Sequence, residues 1–451
     1  MRTPALTSPL RTVSGGSSVA LLAAALSLLL ARHPLSLGST LAFGVGLLAV
    51  LALALVRFDA AVGLGVLLLA AVRFQPAPAD AVFAVLIAVA LCTDRFHVRR
   101  FPALALGLLG TFLALNLFSS VEMVAVGHGV VFFGITLYLA VFALWLADYV
   151  CSSARARLVL RLYLIAALAS AAVGVAALMV PFPGHEFFLF SGDRAEGLFK
   201  DPVVYGPFLV PAALVLVEET VTPRLLGGRR LLKACGVTLL ALGVLVSFSR
   251  AAWLNFALGF GTMLVVLALR RGGGRRAVAI FSIVLAAAAI SFTAIALTGS
   301  LGFLEHRAHL QAYDAQRFGA QAFGIAEGEH YPLGIGPGQF DVVSQVSAHS
   351  TYVRAFAEEG MLGLVTLLGL LLATLLFAAR NAVRGANTYG IGSAALLGAW
   401  VGVLANSLFV DTLHWRHLWL VAALIWAGWM RSYRPARGES SSASVRSRLS
   451  R

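Results

Sequence analysis

The feature that most constrains this chain is a succession of apolar runs, each close to the thickness of a bilayer, with nearly all the charge confined between them. A membrane helix needs about 20 mostly apolar residues, fewer where flanking side chains snorkel. Candidate spans fall at 17–31, 37–56, 59–73, 80–94, 101–118, 124–147, 158–181, 203–218, 231–248, 251–269, 277–298, 361–379, 390–410 and 417–430. The third and fourth are short enough to be re-entrant, so the expected count is about 12–14 transmembrane helices. Composition agrees, with 60% of residues apolar and 12% charged. Soluble domains have about twice that share of charge. The polar surface needed to face water is missing, so lipid must cover the protein. The expected fold is an all-α polytopic membrane protein.

Charge bias orients the spans. With the N-terminus in the cytoplasm, the inner segments hold Arg2, Arg11, Arg57, Arg95, Arg99, Arg100, Arg155, Arg157, Arg161, Arg224, Arg229, Arg230 and Lys233. They also hold Arg270, Arg271, Arg275, Arg276, Arg380, Arg384 and six arginines from Arg431 to Arg451, making 25 of 34 basic residues. Both termini are therefore expected inside. The nine exceptions are Arg32, Arg73, Arg194, Lys200, Arg250, Arg307, Arg317, Arg354 and Arg416. Positive charge is disfavoured in short translocated loops, so these positions point to work done on the outer side.

The net charge of +14 does not indicate nucleic acid, because the basic residues form short clusters between apolar runs rather than one basic face. Cys92, Cys151 and Cys235 lie far apart without a CxxC spacing, which excludes a disulfide framework and a zinc site; buried small hydrophobes is the expected reading. The run from Val19 to Leu30 follows Arg2 and Arg11 like a signal peptide. No small-x-small cleavage site precedes the next apolar run, so it is read as an uncleaved first span.

Two outer loops are long, one from about Pro181 to Pro202 and one at 299–360. In the second, Glu305 to Ala326 reads as helix, and Pro332 to Phe340 (PLGIGPGQF) must be turn-rich because prolines and glycines break any regular element. The expected organisation is a single membrane domain over 1–430, with the 299–360 loop within it and a disordered basic tail at 431–451.

Polar residues concentrate in four outer segments: Asp193 to Pro202, Ser247 to Trp253 at a very tight turn, His349 to Tyr352, and Asp411 to His417. The strings RAEGLFKDP, FSRAAWL, PLGIGPGQF, AHSTYVRAFAEEGMLGL and DTLHWRHLW resemble the landmarks of the bacterial O-antigen ligase/polymerase family, over approximately residues 180–430. The ligase pattern of that family is His, then Asn, Ser or Gln, nine residues, Gly, two residues, then Gly, Thr or Tyr. His349, Ser350, Gly360 and Gly363 meet it, with Ser350 where many relatives have Asn.

The resemblance implies a GT-C-like fold with a large helical periplasmic loop. It also implies transfer of a glycan from undecaprenyl diphosphate to a sugar hydroxyl of lipid A-core, on the periplasmic face of the inner membrane. The residues suit that chemistry. A diphosphate leaving group needs fixed positive charge, which guanidinium groups supply bidentately; Arg194 and Arg250 are the expected clamp. The acceptor hydroxyl needs a base near neutral pKa, and His349 fits. Lys200, Arg317, Arg416 and Tyr352 are candidate substrate contacts. Arg416 has a structural ion pair with Asp411 as its alternative, and Tyr352 and Arg354 have packing as theirs.

The glycine loop lacks the strand and lysine of a P-loop, and Glu305, His306, His309, Glu327, Glu329 and His330 form no metal motif, so no cofactor or metal is expected. The expected partners are the lipid-linked donor, a lipid A-core or growing glycan acceptor, and membrane lipids, with no nucleic acid. A polymerase of the same fold is the alternative. Its loose Arg-x10-Gly pattern is met by Arg317 and Gly328 but not at Arg194, where Tyr205 stands. A polysaccharide-lipid transporter would need charges inside the spans, which are nearly charge-free.

Overall fold

A computed structural model describes residues 37–73, 77–98, 101–180 and 182–433, with side chains from residue 43. The expected first span and the tail beyond Tyr433 lie outside the described residues. The apolar runs form α1 (Leu37–Val56), α2 (Phe58–Leu67, extended by a 3-10 turn to Ala70), α3 (Pro78–Cys92), α4 (Ala103–Phe118), α5 (Val126–Tyr149) and α6 (Ser153–Met179). They continue as α7 (Pro202–Val221), α8 (Arg230–Val246), α9 (Arg250–Leu269) and α10 (Gly274–Leu297). The outer loop holds α11 (Leu301–Ala308), α12 (Ala312–His330) and the short α13 (Phe340–Val343). The bundle closes with α14 (Thr351–Val383), α15 (Ser393–Asn406) and α16 (Arg416–Tyr433). Two small antiparallel ladders, Leu189–Phe190 with Arg194–Ala195 and Asn387–Thr388 with Ile391–Gly392, pin loops at opposite ends.

Among the described residues, seven helices are long and apolar enough to cross a membrane: α4 with its 3-10 extension, α5, α6, α7, α9, α10 and α14. Shorter apolar helices lie at Phe43–Val56, Phe58–Ala70, Pro78–Cys92 and Ser393–Asn406. The chain is an all-helical polytopic membrane protein. Polar contacts between distant segments mark its two ends. At one, Arg73 pairs with Glu196, and Gln339 Oε1 accepts from the N–H groups of Val124 and Ala125 at 3.0 and 2.8 Å. At the other, Tyr149 donates to Asp59 at 2.8 Å and Arg270 donates to the Ala382 carbonyl.

Packing inside the bundle relies on small residues where backbones meet, the usual solution when lipid removes the hydrophobic drive between helices. Gly259 of α9 and Gly398 of α15 face each other so closely that a Cβ on Gly398 would stand 2.3 Å from the Gly259 carbonyl oxygen. Outward faces are apolar as well: Leu48, Val265 and Leu297 are exposed. This also explains the cysteines. Cys92 and Cys235 are exposed and Cys151 half-buried, against the expectation of burial, because an apolar side chain facing lipid has no need of a protein core.

The helix expected from Glu305 to Ala326 is broken. It ends at Ala308 and restarts at Ala312, where the Asp314 carboxylate accepts from the Gln311 N–H at 2.7 Å as part of a capping box. The large outer loop also ends earlier than expected. Helix α14 already begins at Thr351 and runs through Gly360, whose φ of 70° and ψ of −172° kink it.

Candidate active site at the loop end of the bundle

Arg354, on the first turn of α14 and 3% exposed, ties this end of the molecule together. Its Nη1 meets Glu358 Oε1 at 3.0 Å, and its Nη2 meets Asp341 Oδ1 at 2.7 Å and Ser347 Oγ at 2.8 Å. Its Nε lies 2.9 Å from Asp411 Oδ2, an ion-pair contact without hydrogen-bond alignment. The rings of Phe132 and Phe340 lie beside the guanidinium. One buried cation with three carboxylates needs further donors to satisfy the oxygens. Glu358 finds them in the backbone of the glycine loop: Gly338 N–H donates at 2.8 Å and Phe340 N–H at 3.1 Å.

The glycine loop is therefore a turn that wraps α14, not a phosphate cradle. The N–H groups of Ile335 and Gly336 donate to the carbonyls of Ala357 and Glu358. The approach is so close that a Cβ on Gly360 would stand 2.1 Å from the Pro332 carbonyl oxygen, and one on Gly334 2.2 Å from that of Glu358. Both glycines have positive φ. Gly360 of the His-Ser-x9-Gly-x2-Gly pattern is thus the place where α14 breaks to let the loop pass.

This frame fixes His349. Ser350 caps α14, its Oγ accepting from the Val353 N–H at 3.4 Å, which leaves His349 just outside the helix with φ of 46°, rare for a side-chain-bearing residue. Gln321 of α12 donates to the His349 carbonyl at 3.2 Å, coupling the histidine to the outer-loop helix. The ring is half-buried. Burial first, then the Arg317 charge, lowers its pKa below the ordinary histidine value, while Asp201 works the other way. His349 is therefore neutral at neutral pH and able to accept a proton.

Near it gathers positive charge that no carboxylate contacts directly among the described residues. The Arg307 and Arg317 guanidiniums lie 5.5 and 4.6 Å from the ring centre of Tyr313. Arg194 donates through Nε to the Ser247 carbonyl at 3.2 Å, and its buried Nη2 has no partner. Burial, and next the charge of Arg307, lowers the Arg194 pKa, while Asp201 and Asp193 work the other way; it still stays protonated. Among the described residues, none of these three arginines makes an ion pair with a carboxylate. Asp201, which caps α7 by accepting from the Val203 N–H at 2.7 Å, is near both Arg194 and His349.

Other expected site residues are engaged elsewhere. Arg250 Nη2 contacts both oxygens of Asp314 at 2.6 Å, and its Nη1 donates to the His309 carbonyl at 3.0 Å, so Arg250 holds the start of α12 and is not a free clamp. Arg416 pairs with Asp80 through Nε at 2.6 Å and through Nη2, not with Asp411, because the start of α16 faces the start of α3 while Arg354 takes Asp411. Tyr352 donates to the Leu404 carbonyl at 2.8 Å and packs against the core. Lys200 is exposed; burial of its stem and the nearby Arg416 charge lower its pKa. Sequence reasoning missed Arg307 and Tyr313 as members of the cluster and Arg354 as its anchor. The signal for both arginines was their place among the outer exceptions to the charge bias.

The glycine loop, the kinked α14 and the outer helices all lie in one stretch of chain, and that stretch has a known counterpart. Residues 235–368 match the O-antigen ligase family model. No curated protein matches the chain. The matched stretch holds Arg250, Arg307, Tyr313, Arg317, His349 and Arg354, while Arg194, Lys200 and Arg416 lie outside it.

Proposed function

We propose that this protein transfers a glycan from an undecaprenyl diphosphate carrier to a sugar hydroxyl of lipid A-core, at the periplasmic face of the bacterial inner membrane. What supports this reading is the gathering of Arg194, Arg307 and Arg317 about Tyr313, none of them ion-paired with a carboxylate among the described residues, with Arg317 also close enough to bias the neutral His349. Arginines arranged this way await a dense anion, and a diphosphate at the membrane surface supplies one. His349 takes the proton of the acceptor hydroxyl as its oxygen bonds to the anomeric carbon. The bond from that carbon to the diphosphate breaks, and its electron pair leaves with the phosphate oxygen toward the arginines. A single displacement of this kind inverts the anomeric centre. General-base assistance contributes about 10²–10⁴-fold, and electrostatic stabilisation of the leaving group is the larger share.

The polymerase reading loses part of its support. Gly328 of the Arg-x10-Gly pattern lies against the Phe356 ring, where a Cβ would stand 2.5 Å from Cδ1, so packing of α12 on α14 accounts for it. Deleting the gene and analysing surface and carrier-linked glycan together separates the two. A ligase leaves lipid A-core bare while long glycan accumulates on the carrier. Lipid A-core carrying single repeat units would instead establish a polymerase.

A further inference from the structure

At the end of the bundle opposite His349, a cavity of about 610 Å³ opens beside the turn between α1 and α2. Its walls are Arg57, Phe58, Asp59, Ala60, Arg95 and Arg155. Three guanidiniums face one carboxylate, and that carboxylate is occupied. Asp59 accepts from the Tyr149 hydroxyl at 2.8 Å and lies 3.7 Å from Arg155 Nε. Arg155 spends its Nη1 on the Tyr149 carbonyl and the Cys151 sulfur, both at 3.3 Å. Arg95 lies over the Phe58 ring, 5.2 Å from its centre, and neither Arg95 nor Arg57 makes an ion pair with a carboxylate among the described residues.

The apolar surface beside it points to the occupant. Arg57 is the single residue between two apolar helices, and the two residues before it, Leu55 and Val56, are 61% and 80% exposed. A cationic hollow above an apolar lip matches a phosphate group joined to acyl chains, whereas a soluble anion would have no use for the lip. Basic pockets between membrane helices hold anionic headgroups by this combination. We propose that the cavity is a binding site for an anionic phospholipid, with its phosphate between Arg57 and Arg95 and its chains along Leu55 and Val56.

Native mass spectrometry of the full-length protein in detergent, titrated with phosphatidylglycerol, tests this. Removing an interfacial arginine weakens such binding about fivefold, and removing two roughly thirty-fold. R57Q/R95Q is therefore expected to bind roughly thirty-fold more weakly, and R95Q alone, which guards against misfolding of the double variant, about fivefold. R271Q/R275Q, altering exposed arginines on another turn at the same end, leaves binding unchanged. Equal binding by wild type and R95Q overturns the proposal. So does displacement of the lipid by millimolar glycerol phosphate, which would make the site one for a soluble phosphate.

Discussion

His349 and its neighbours define what single side chains do here. Burial and then the Arg317 charge lower its pKa, so its proton uptake is shifted to lower pH than that of an ordinary histidine. Transfer by the wild type is expected to stay level from pH 8 to about 6.5 and to decline below it; His349→Gln lowers the rate about 10²–10⁴-fold with the protein still in the membrane. A decline that begins well above pH 7 would mean a different base. His414 gives a stability counterpart. Burial lowers its pKa to about 4, and its Nε2 lies 2.9 Å from the Thr136 hydroxyl. Its folded pKa is below the unfolded value of 6.5, so the unfolded chain binds more protons between those limits. Stability contributed by neutral His414 is present above pH 6.5 and is lost as pH falls toward 4, by about 3 kcal/mol. The pH dependence of the thermal midpoint checks this, and His414→Phe should flatten it. Arg250 belongs to the same scale as a structural residue: Arg250→Gln strands the Asp314 carboxylate and destabilises the outer loop by about 2–3 kcal/mol, which proteolysis of the loop would report.

Among elements, the kinked α14 and the glycine loop act as one unit. Ala at Gly360 or Gly334 meets a backbone carbonyl as well as a disfavoured φ, so neither neighbour can yield cheaply. Each substitution should destabilise by about 3 kcal/mol or more, seen as loss of folded protein from the membrane, while Gly302→Ala, with open space around it, should be neutral. This unit also shows how much was legible in sequence. Among the described residues most apolar runs became helices with bounds within a few residues, because lipid rewards one local property, continuous hydrophobicity; α14 is the exception, starting at Thr351 where the run was read from 361. The tight turn at Ser247–Ser249 and the turns of PLGIGPGQF were equally local. What stayed hidden depended on partners far along the chain. The break at His309–Gln311 follows from Asp314 capping α12 and binding Arg250, and nothing in the periodicity announces it. Asp80 lies 336 residues from Arg416, whereas Asp411 was the nearer guess. Arg354 reads as one more loop arginine until three carboxylates converge on it.

The whole molecule divides its charge by end. One end gathers arginines around Tyr313 and holds His349 and the buried Arg354; the other carries most of the described basic residues and the cavity at Arg57. The central claim is that the unpartnered guanidiniums receive a diphosphate. Its most direct test is the binding of undecaprenyl diphosphate to the purified protein, wild type against Arg194→Gln and Arg317→Gln, at several salt concentrations. The account predicts saturable binding weakened about tenfold or more by each substitution, on the scale of one charge-assisted hydrogen-bonding pair, with Arg416→Gln far less affected in any variant that remains folded. Equal affinity in the wild type and in both arginine variants would contradict it.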